Sequence, residues 1–359
     1  MWKPVLLQNA RTMASTLLNG QSITFALEAK VSLLRKLETY SDKPEHIDAV
    51  ETHMSWVFLT DRYAYKMKKP VRYDILDYST LALRQQDCEE EVRLNRRLAP
   101  DVYLGTVPLT VDPDGSVCVN GKGDVIEWLV KMRRLPAERM LDNMIRKHTV
   151  HEADIDSLAM VLARFYQACY AVETSHEQYR AEFINGIEIN LQELSVPGYG
   201  LPHKQLKKIH DVQASFLRLE PGLLDARVDA GKIVEGHGDL RPEHICLEPD
   251  PVIIDCLSFN RQFRINDPAD ELSFLAMECE HLGAPLISDS LFHTYKTITH
   301  DDPSMRLVYF YKIFRACLRA QLAISHVREL EKKDWCKWQQ SAKEYLNLAE
   351  GYCERLSEI

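Results

Sequence analysis

The residues best suited to chemistry lie in one segment, His237-Gly238-Asp239-Leu240-Arg241-Pro242-Glu243-His244, followed by the apolar run Val252-Ile253-Ile254 that ends in Asp255. One carboxylate follows a His-Gly pair in a loop. The other closes a short strand sixteen positions later. This pattern suits phosphoryl transfer when loop and strand carry both acids to one cleft. One acid takes the proton of an acceptor hydroxyl, and the other holds Mg²⁺ against nucleotide phosphates. Such chemistry also needs a fixed positive charge for the phosphates, so the rest of the chain must supply a lysine and the elements that hold it.

The 359 residues suit two lobes rather than one simple core. Apolar residues make up 45% and charged residues 27%, the balance of a packed globular protein. A net charge of -9 argues against a nucleic-acid partner, which normally meets a basic face. The nine cysteines stand singly, without zinc spacing or a disulfide framework. Free thiols in a reducing compartment are the reading. Val5-Leu6-Leu7 stops at Gln8-Asn9, too short for a leader segment, and no apolar run is long enough for a membrane span. The expectation is a cytoplasmic chain with no membrane partner.

Apolar positions Ile23, Ala26, Leu27, Val31, Leu34 and Leu37 recur at helical period over residues 22–40. Short β-rich runs follow at 47–50, 56–59 and 63–67, then a charged helix over 80–98, then strands at 103–110, 116–119 and 124–132. After Arg133-Arg134-Leu135-Pro136 the pattern turns helical, with helices expected at 137–147, 152–172, 177–194, 203–219, 268–281, 303–328 and 334–356. The division is therefore a lobe at 1–132 (a helical extension to 44, then sheet plus helix), a hinge at 133–136, and a helical lobe at 137–359. The second lobe carries the loop 237–244 and the strand 252–256. The fold class is α+β, a small antiparallel sheet with one helix followed by a larger, mainly helical lobe. Asn120-Gly121-Lys122-Gly123 is too short for a P-loop and reads as a hairpin turn.

Five phrases in order carry a resemblance: Glu51-Thr52-His53-Met54-Ser55-Trp56-Val57-Phe58-Leu59, Ala64-Tyr65-Lys66-Met67-Lys68-Lys69-Pro70-Val71, Cys88 to Pro100, His237 to His244, and Asp267-Pro268-Ala269-Asp270-Glu271-Leu272-Ser273-Phe274-Leu275. They resemble the aminoglycoside phosphotransferase-like kinases, the small-molecule branch of the protein-kinase-like fold. The nearest likeness is to a bacterial group of such enzymes of unknown substrate. The resemblance implies ATP, Mg²⁺ and a small-molecule hydroxyl acceptor. It implies Asp239 as the catalytic base and Asp255 as the metal ligand. Lys66 would be the phosphate lysine, with Lys68 of equal parity as its rival. Glu90 or Glu91 would clamp that lysine, and helical spacing does not choose between them. Met132, Arg133 and Leu135 mark the hinge, whose backbone at 133–135 would face adenine.

Three features depart from the family pattern, one of them Arg241, which stands where the family often has histidine. His244 stands where the family places an asparagine metal ligand, and imidazole suits Mn²⁺ or Zn²⁺ better than Mg²⁺. The turn Thr52-His53-Met54-Ser55 holds no glycine, so Thr52, Ser55 or His53 would meet phosphate in place of bare backbone, unless this is an ordinary hairpin turn. Two alternatives to an active kinase follow. One is a nucleotide-binding pseudokinase that regulates a protein partner. The other is a metal-dependent hydrolase built on His237, Asp239, His244 and Asp255. His237 reads as a loop brace, and Asp267 and Asp270 as helix caps. Arg315 and Arg319 read as a salt-bridged or solvated face within reach of an acidic substrate. Tyr309, Phe310, Tyr311 and Phe314 read as core. The acceptor itself is not legible.

Overall fold

The computed structural model describes residues 25–73, 75–329 and 331–359. The expectations for residues 1–24, including the start of the first helical stripe at Ile23, fall outside these. The described chain divides into two compact units: residues 25–137 with 252–260, and residues 138–251 with 261–359. Residues 252–260, which chain order attaches to the helical lobe, cluster with the sheet.

In the sheet unit the first helix, α1 (Leu27–Leu34), is shorter than its apolar stripe. Thr39 Oγ1 and Tyr40 OH donate to the Leu33 and Leu34 carbonyls at 2.7 and 2.6 Å, capping the helix end from beyond it. Strands β1 (Asp48–Glu51), β2 (Ser55–Leu59) and β3 (Tyr63–Lys68) come next, and then a small hairpin of β4 (Arg72–Tyr73) and β5 (Leu76–Asp77). Helix α2 (Leu81–Asn95) starts at Thr80, whose hydroxyl accepts the Leu83 N–H. Strands β6 (Tyr103–Val111), β7 (Val117–Val119) and β8 (Asp124–Arg133) complete an antiparallel sheet in the order β1-β2-β3-β8-β6-β7.

Alternation along the strands sends side chains to opposite faces. Phe58, Tyr65, Met67, Leu109, Ile126 and Leu129 pack with Val31 and Leu34 of α1 in one core. Lys66 and Lys68 therefore project from the opposite face of β3, and α2 packs against β6 and β8. The β4–β5 hairpin was not expected, because two-residue strands leave no period to read.

The helical unit holds α3 (Leu141–Arg146), α4 (Glu152–Ala168), α5 (His176–Leu194), α6 (His203–Leu219), α7 (Pro221–Asp229) and the short strands β9 (Val234–Glu235) and β10 (Ile245–Cys246). Strand β11 (Val252–Ile253) belongs to the sheet unit. Then follow β12 (Ile265–Asn266), which pairs antiparallel with β9, and α8 (Pro268–His281), α9 (Leu286–Thr299), α10 (Met305–Ser325) and α11 (Cys336–Glu358). Helix α10 is central, with α5, α6, α8 and α11 packed on it. Phe310, Tyr311 and Phe314 are core, as read from the sequence, and Phe310 stacks on Phe216 at 4.4 Å. Two helices went unread, α7 behind its Pro-Gly start and α9 with its β-branched residues.

Candidate active site

Each unit carries part of the expected constellation. In the sheet unit, Ala64, Lys66 and Lys68 share one face of β3, while Tyr65 and Met67 point into the core. The buried stripe of α2 is Cys88, Glu91, Val92 and Asn95, so Glu91 faces the sheet. Glu90 lies outside that stripe and pairs with Arg93 through two contacts of 2.6 Å. The choice left open by helical spacing thus falls on Glu91.

Lys66 Nζ donates to Glu91 Oε1 at 2.9 Å and to Asp255 Oδ1 at 2.5 Å. Lys68 Nζ reaches the second Glu91 oxygen and lies 2.6 Å from Asp87 Oδ2. Burial disfavours the charge on Lys66, but the Asp255 and Glu91 carboxylates outweigh it and hold its pKa above the ordinary lysine range. Lys68 is held higher still by Glu91 and Asp87, also against burial. Both lysines clamp the same glutamate. Only Lys66 also meets Asp255.

Asp255 stands at φ 62°, a left-handed conformation that few non-glycine residues adopt. Its backbone N–H donates to Tyr103 OH at 3.1 Å, and the Cys256 N–H donates to Asn95 Oδ1 at 2.9 Å. These contacts fix the segment at a turn that re-aims the carboxylate. Nearly half of that side chain, 44%, remains exposed. Around Lys66 and Lys68 three carboxylates (Glu91, Asp87 and Asp255) face two ammonium groups, one negative charge in excess. A hard oxygen donor in such a setting suits a divalent cation such as Mg²⁺.

In the helical unit the loop 237–244 hangs on Glu271 of α8. Its carboxylate accepts the His237 N–H at 2.9 Å, the Gly238 N–H at 2.5 Å and the Tyr166 hydroxyl at 2.8 Å. Gly236 lets this carboxylate approach, since an added Cβ there would collide with it. Gly238 takes φ 88°, which only glycine adopts readily. His237 is fully buried, and its Nδ1 accepts the Asp239 N–H at 3.3 Å, the bracing role read from the sequence. Asp239 lies 3.0 Å from Arg241 Nε, and Arg241 Nη1 meets Glu243 at 2.5 Å. Burial alone would raise the Asp239 pKa, but Arg241, His244, Arg319 and His237 outweigh it and hold the carboxyl below its ordinary range.

His244 is engaged within its own loop. Its Nδ1 lies 2.8 Å from its own loop's Asp239 carbonyl, and its Nε2 lies 3.3 Å from Arg241 Nη2. The neutral tautomer that donates from Nδ1 and accepts at Nε2 satisfies both contacts. The ring therefore serves as a loop brace. Among the described residues no group of three or more His, Cys, Asp or Glu side chains is placed to hold a metal ion.

The turn between β1 and β2 is closed by its own residues. The Thr52 hydroxyl accepts the Ser55 N–H and donates to the Ser55 carbonyl, both at 3.0 Å, so it closes the turn itself. Ser55 is buried, and the exposed His53 ring stacks on Tyr73 at 5.5 Å. At the hinge, Met132 is buried opposite Ala64. The amides of Arg133 and Arg134 donate to the Val102 and Arg62 carbonyls.

Asp267 caps α8 through the Ala269 N–H at 2.9 Å and also takes a two-pronged pair from Arg227. Asp270 is held by Arg315 at 2.8 and 2.5 Å, and Arg319 by Glu278 at 2.7 Å. Both arginines are salt-bridged rather than solvated. The role of Glu271 was missed. Its only sequence signal is its place in the Asp267–Leu275 phrase, where an acid in the first turn of a helix looks like a dipole partner.

No protein-family model matches the chain. An uncharacterized protein of Mycobacterium tuberculosis (strain H37Rv) is 32% identical over 287 residues, which cover 79% of this chain and 55% of that protein. An uncharacterized protein of Mycobacterium bovis matches to the same extent. The chain thus spans about half the length of the curated relatives it matches. Among solved structures, a choline/ethanolamine kinase family protein from Mesorhizobium loti aligns with TM-score 0.52 and 16% identity, covering 92% of this chain and 95% of that one. A glucosamine kinase bound to glucosamine, ADP and inorganic phosphate aligns with TM-score 0.53 and 14% identity, covering 92% and 87%. With its curled antiparallel sheet, single sheet-packed helix and helical remainder, the chain has the fold of the aminoglycoside phosphotransferase-like small-molecule kinases.

Proposed function

We propose that the chain is an ATP-dependent phosphotransferase acting on a hydroxyl of a small molecule. The observation that carries this reading is Lys66 bridging Glu91 and Asp255, a fixed ammonium beside a half-exposed carboxylate. Nothing in the packing of a sheet and a helix requires that arrangement. Phosphoryl transfer does, because its transition state is anionic and asks the protein mainly for position and charge.

Lys66 neutralises charge on the nucleotide phosphates, and Glu91 keeps its amine in place. Asp255 is the residue that would hold Mg²⁺, which when bound would screen the phosphate oxygens. Asp239, ionised at neutral pH, accepts a hydrogen bond from the acceptor hydroxyl and takes its proton as that oxygen bonds the γ-phosphorus and the γ-phosphorus–bridging-oxygen bond breaks, the bridging oxygen leaving with ADP. His244 and His237 hold the loop that presents Asp239. The Leu135 backbone is the candidate for the adenine edge, and His53 is the residue of the β1–β2 turn left to meet phosphate. Free thiols and ATP dependence both suit the cytoplasm. Among the described residues no helix is long and apolar enough to cross a membrane.

A second reading, a nucleotide-binding pseudokinase with a protein partner, is favoured by one observation. The His244 ring, in the place of the second metal ligand, is engaged inside its own loop. ADP release in a screen of hydroxyl-bearing amines, sugars and sugar acids separates the two. Acceptor-dependent release that Asp239→Asn abolishes supports the phosphotransferase. Tight nucleotide binding with no release for any acceptor would favour the pseudokinase.

A further inference from the structure

Lys68, Asp87 and Ser258 have no part in the phosphotransfer set, yet they close a circuit with it. From Lys66 the path runs to Asp255 at 2.5 Å and three residues along the chain to Ser258. Ser258 Oγ donates to Asp87 Oδ2 at 2.9 Å, and the same oxygen accepts Tyr78 OH at 2.5 Å and faces Lys68 Nζ at 2.6 Å. Lys68 continues to Glu91, whose other oxygen returns to Lys66 at 2.9 Å. The circuit ties together three elements that a nucleotide site must keep in register: strand β3, helix α2 and the Asp255 segment.

Burial shows that this is no surface network. Lys68, Asp87 and Glu91 are all under a tenth exposed. Buried ion pairs of this kind usually add little stability over apolar side chains of similar size, because desolvation offsets their attraction. What they do supply is direction, since both Glu91 oxygens, Asp87 Oδ2 and Asp255 Oδ1 each have a named donor.

We propose that Ser258 and Asp87, acting through Lys68, are positioning residues for the nucleotide site: they lock the Asp255 carboxylate and the Lys66–Glu91 clamp into one arrangement. The inference rests on the phosphotransferase reading and deepens it. Ser258→Ala removes one donor from the circuit and leaves the Asp255 segment tied to α2 through the Cys256 N–H and Asn95, while Lys66 and Glu91 stay paired. The loss therefore falls on the metal-dependent part of nucleotide affinity.

The test is ATP binding by calorimetry with and without Mg²⁺, on wild type, Ser258→Ala, Ser258→Thr and Asp87→Asn. The expected result is that Ser258→Ala and Asp87→Asn lose about tenfold of the gain in affinity that Mg²⁺ confers, the equivalent of one charge-assisted hydrogen bond. Metal-free affinity stays at the wild-type level, and Ser258→Thr, which keeps the hydroxyl, restores the gain. Ser258→Ala with the full Mg²⁺-dependent gain overturns the positioning role while leaving the phosphotransferase reading intact. Equal losses with and without metal also overturn it, since that is the mark of a merely structural residue. A wild type that binds no nucleotide overturns both.

Discussion

Replacing Glu271 by glutamine keeps the side-chain volume and removes the charge that holds the loop carrying Asp239. The carboxylate accepts two consecutive backbone amides, those of His237 and Gly238, together with the Tyr166 hydroxyl, and it is 2% exposed. Glutamine offers one oxygen and one NH₂ group, so one of the two amides must then face a donor. Losing one charge-assisted bond and stranding one buried amide comes to roughly 3 kcal/mol. That corresponds to about a hundredfold in the equilibrium for local opening. Hydrogen exchange of a peptide spanning residues 234–247 measures this opening directly, without treating the two-unit chain as a single unfolding transition. The expected outcome is faster exchange at His237, Gly238 and Asp239 in Glu271→Gln, with α11 unchanged. Protection within about threefold of wild type would refute the reasoning.

The two lysines of β3 separate by phenotype. Lys66→Met lowers Mg²⁺–ATP affinity at least tenfold with a small change in melting temperature, whereas Lys68→Met leaves the buried Asp87 carboxylate without a cation, with Glu91 still held by Lys66, and costs about 3 kcal/mol of stability, read by thermal melting. Asp239 has a pH signature. Its folded pKa is depressed, so its contribution to stability is present above the unfolded value and is lost as pH falls through the folded one. Wild type should therefore exceed Asp239→Asn in urea midpoint by a constant margin from about pH 8 to 5, and the margin should close below about pH 4. A margin that widens in acid would contradict this. Among the nine free thiols Cys336 alone is exposed, and burial pushes the Cys88 and Cys353 thiols up to about 12. A thiol reagent on native protein should therefore label Cys336 first, as mass spectrometry of the peptides would show.

The fold was legible because its parts are periodic or punctuated. The β-rich front, the α2 stripe and the long helices α6 and α8 follow from apolar spacing and from Pro or Thr at their starts. Asp239 and Asp255 stand out in the sequence as candidates because each sits at the end of a local pattern. Other choices depended on contacts far apart in sequence. Lys66 and Lys68 have the same parity and both reach Glu91, and what separates them is Asp255, 189 residues away. Glu90 and Glu91 both fit a helical stripe until the sheet beneath α2 decides which one is buried. His244 stands at the ligand position of the family pattern, and the contacts that brace it, with the Asp239 carbonyl and Arg241, are not legible from that position. The Glu271 anchor and the Ser258–Asp87 link join residues with no shared motif, so no reading of local sequence finds them.

The most direct test of the central claim is calorimetric titration of ATP with Mg²⁺, then with Mn²⁺, into wild type and Asp255→Ala. The account predicts metal-dependent binding to wild type that Asp255→Ala loses, with little preference for Mn²⁺ because the His244 ring is engaged within its loop. Absence of binding with either metal, or equal binding by Asp255→Ala, would contradict it.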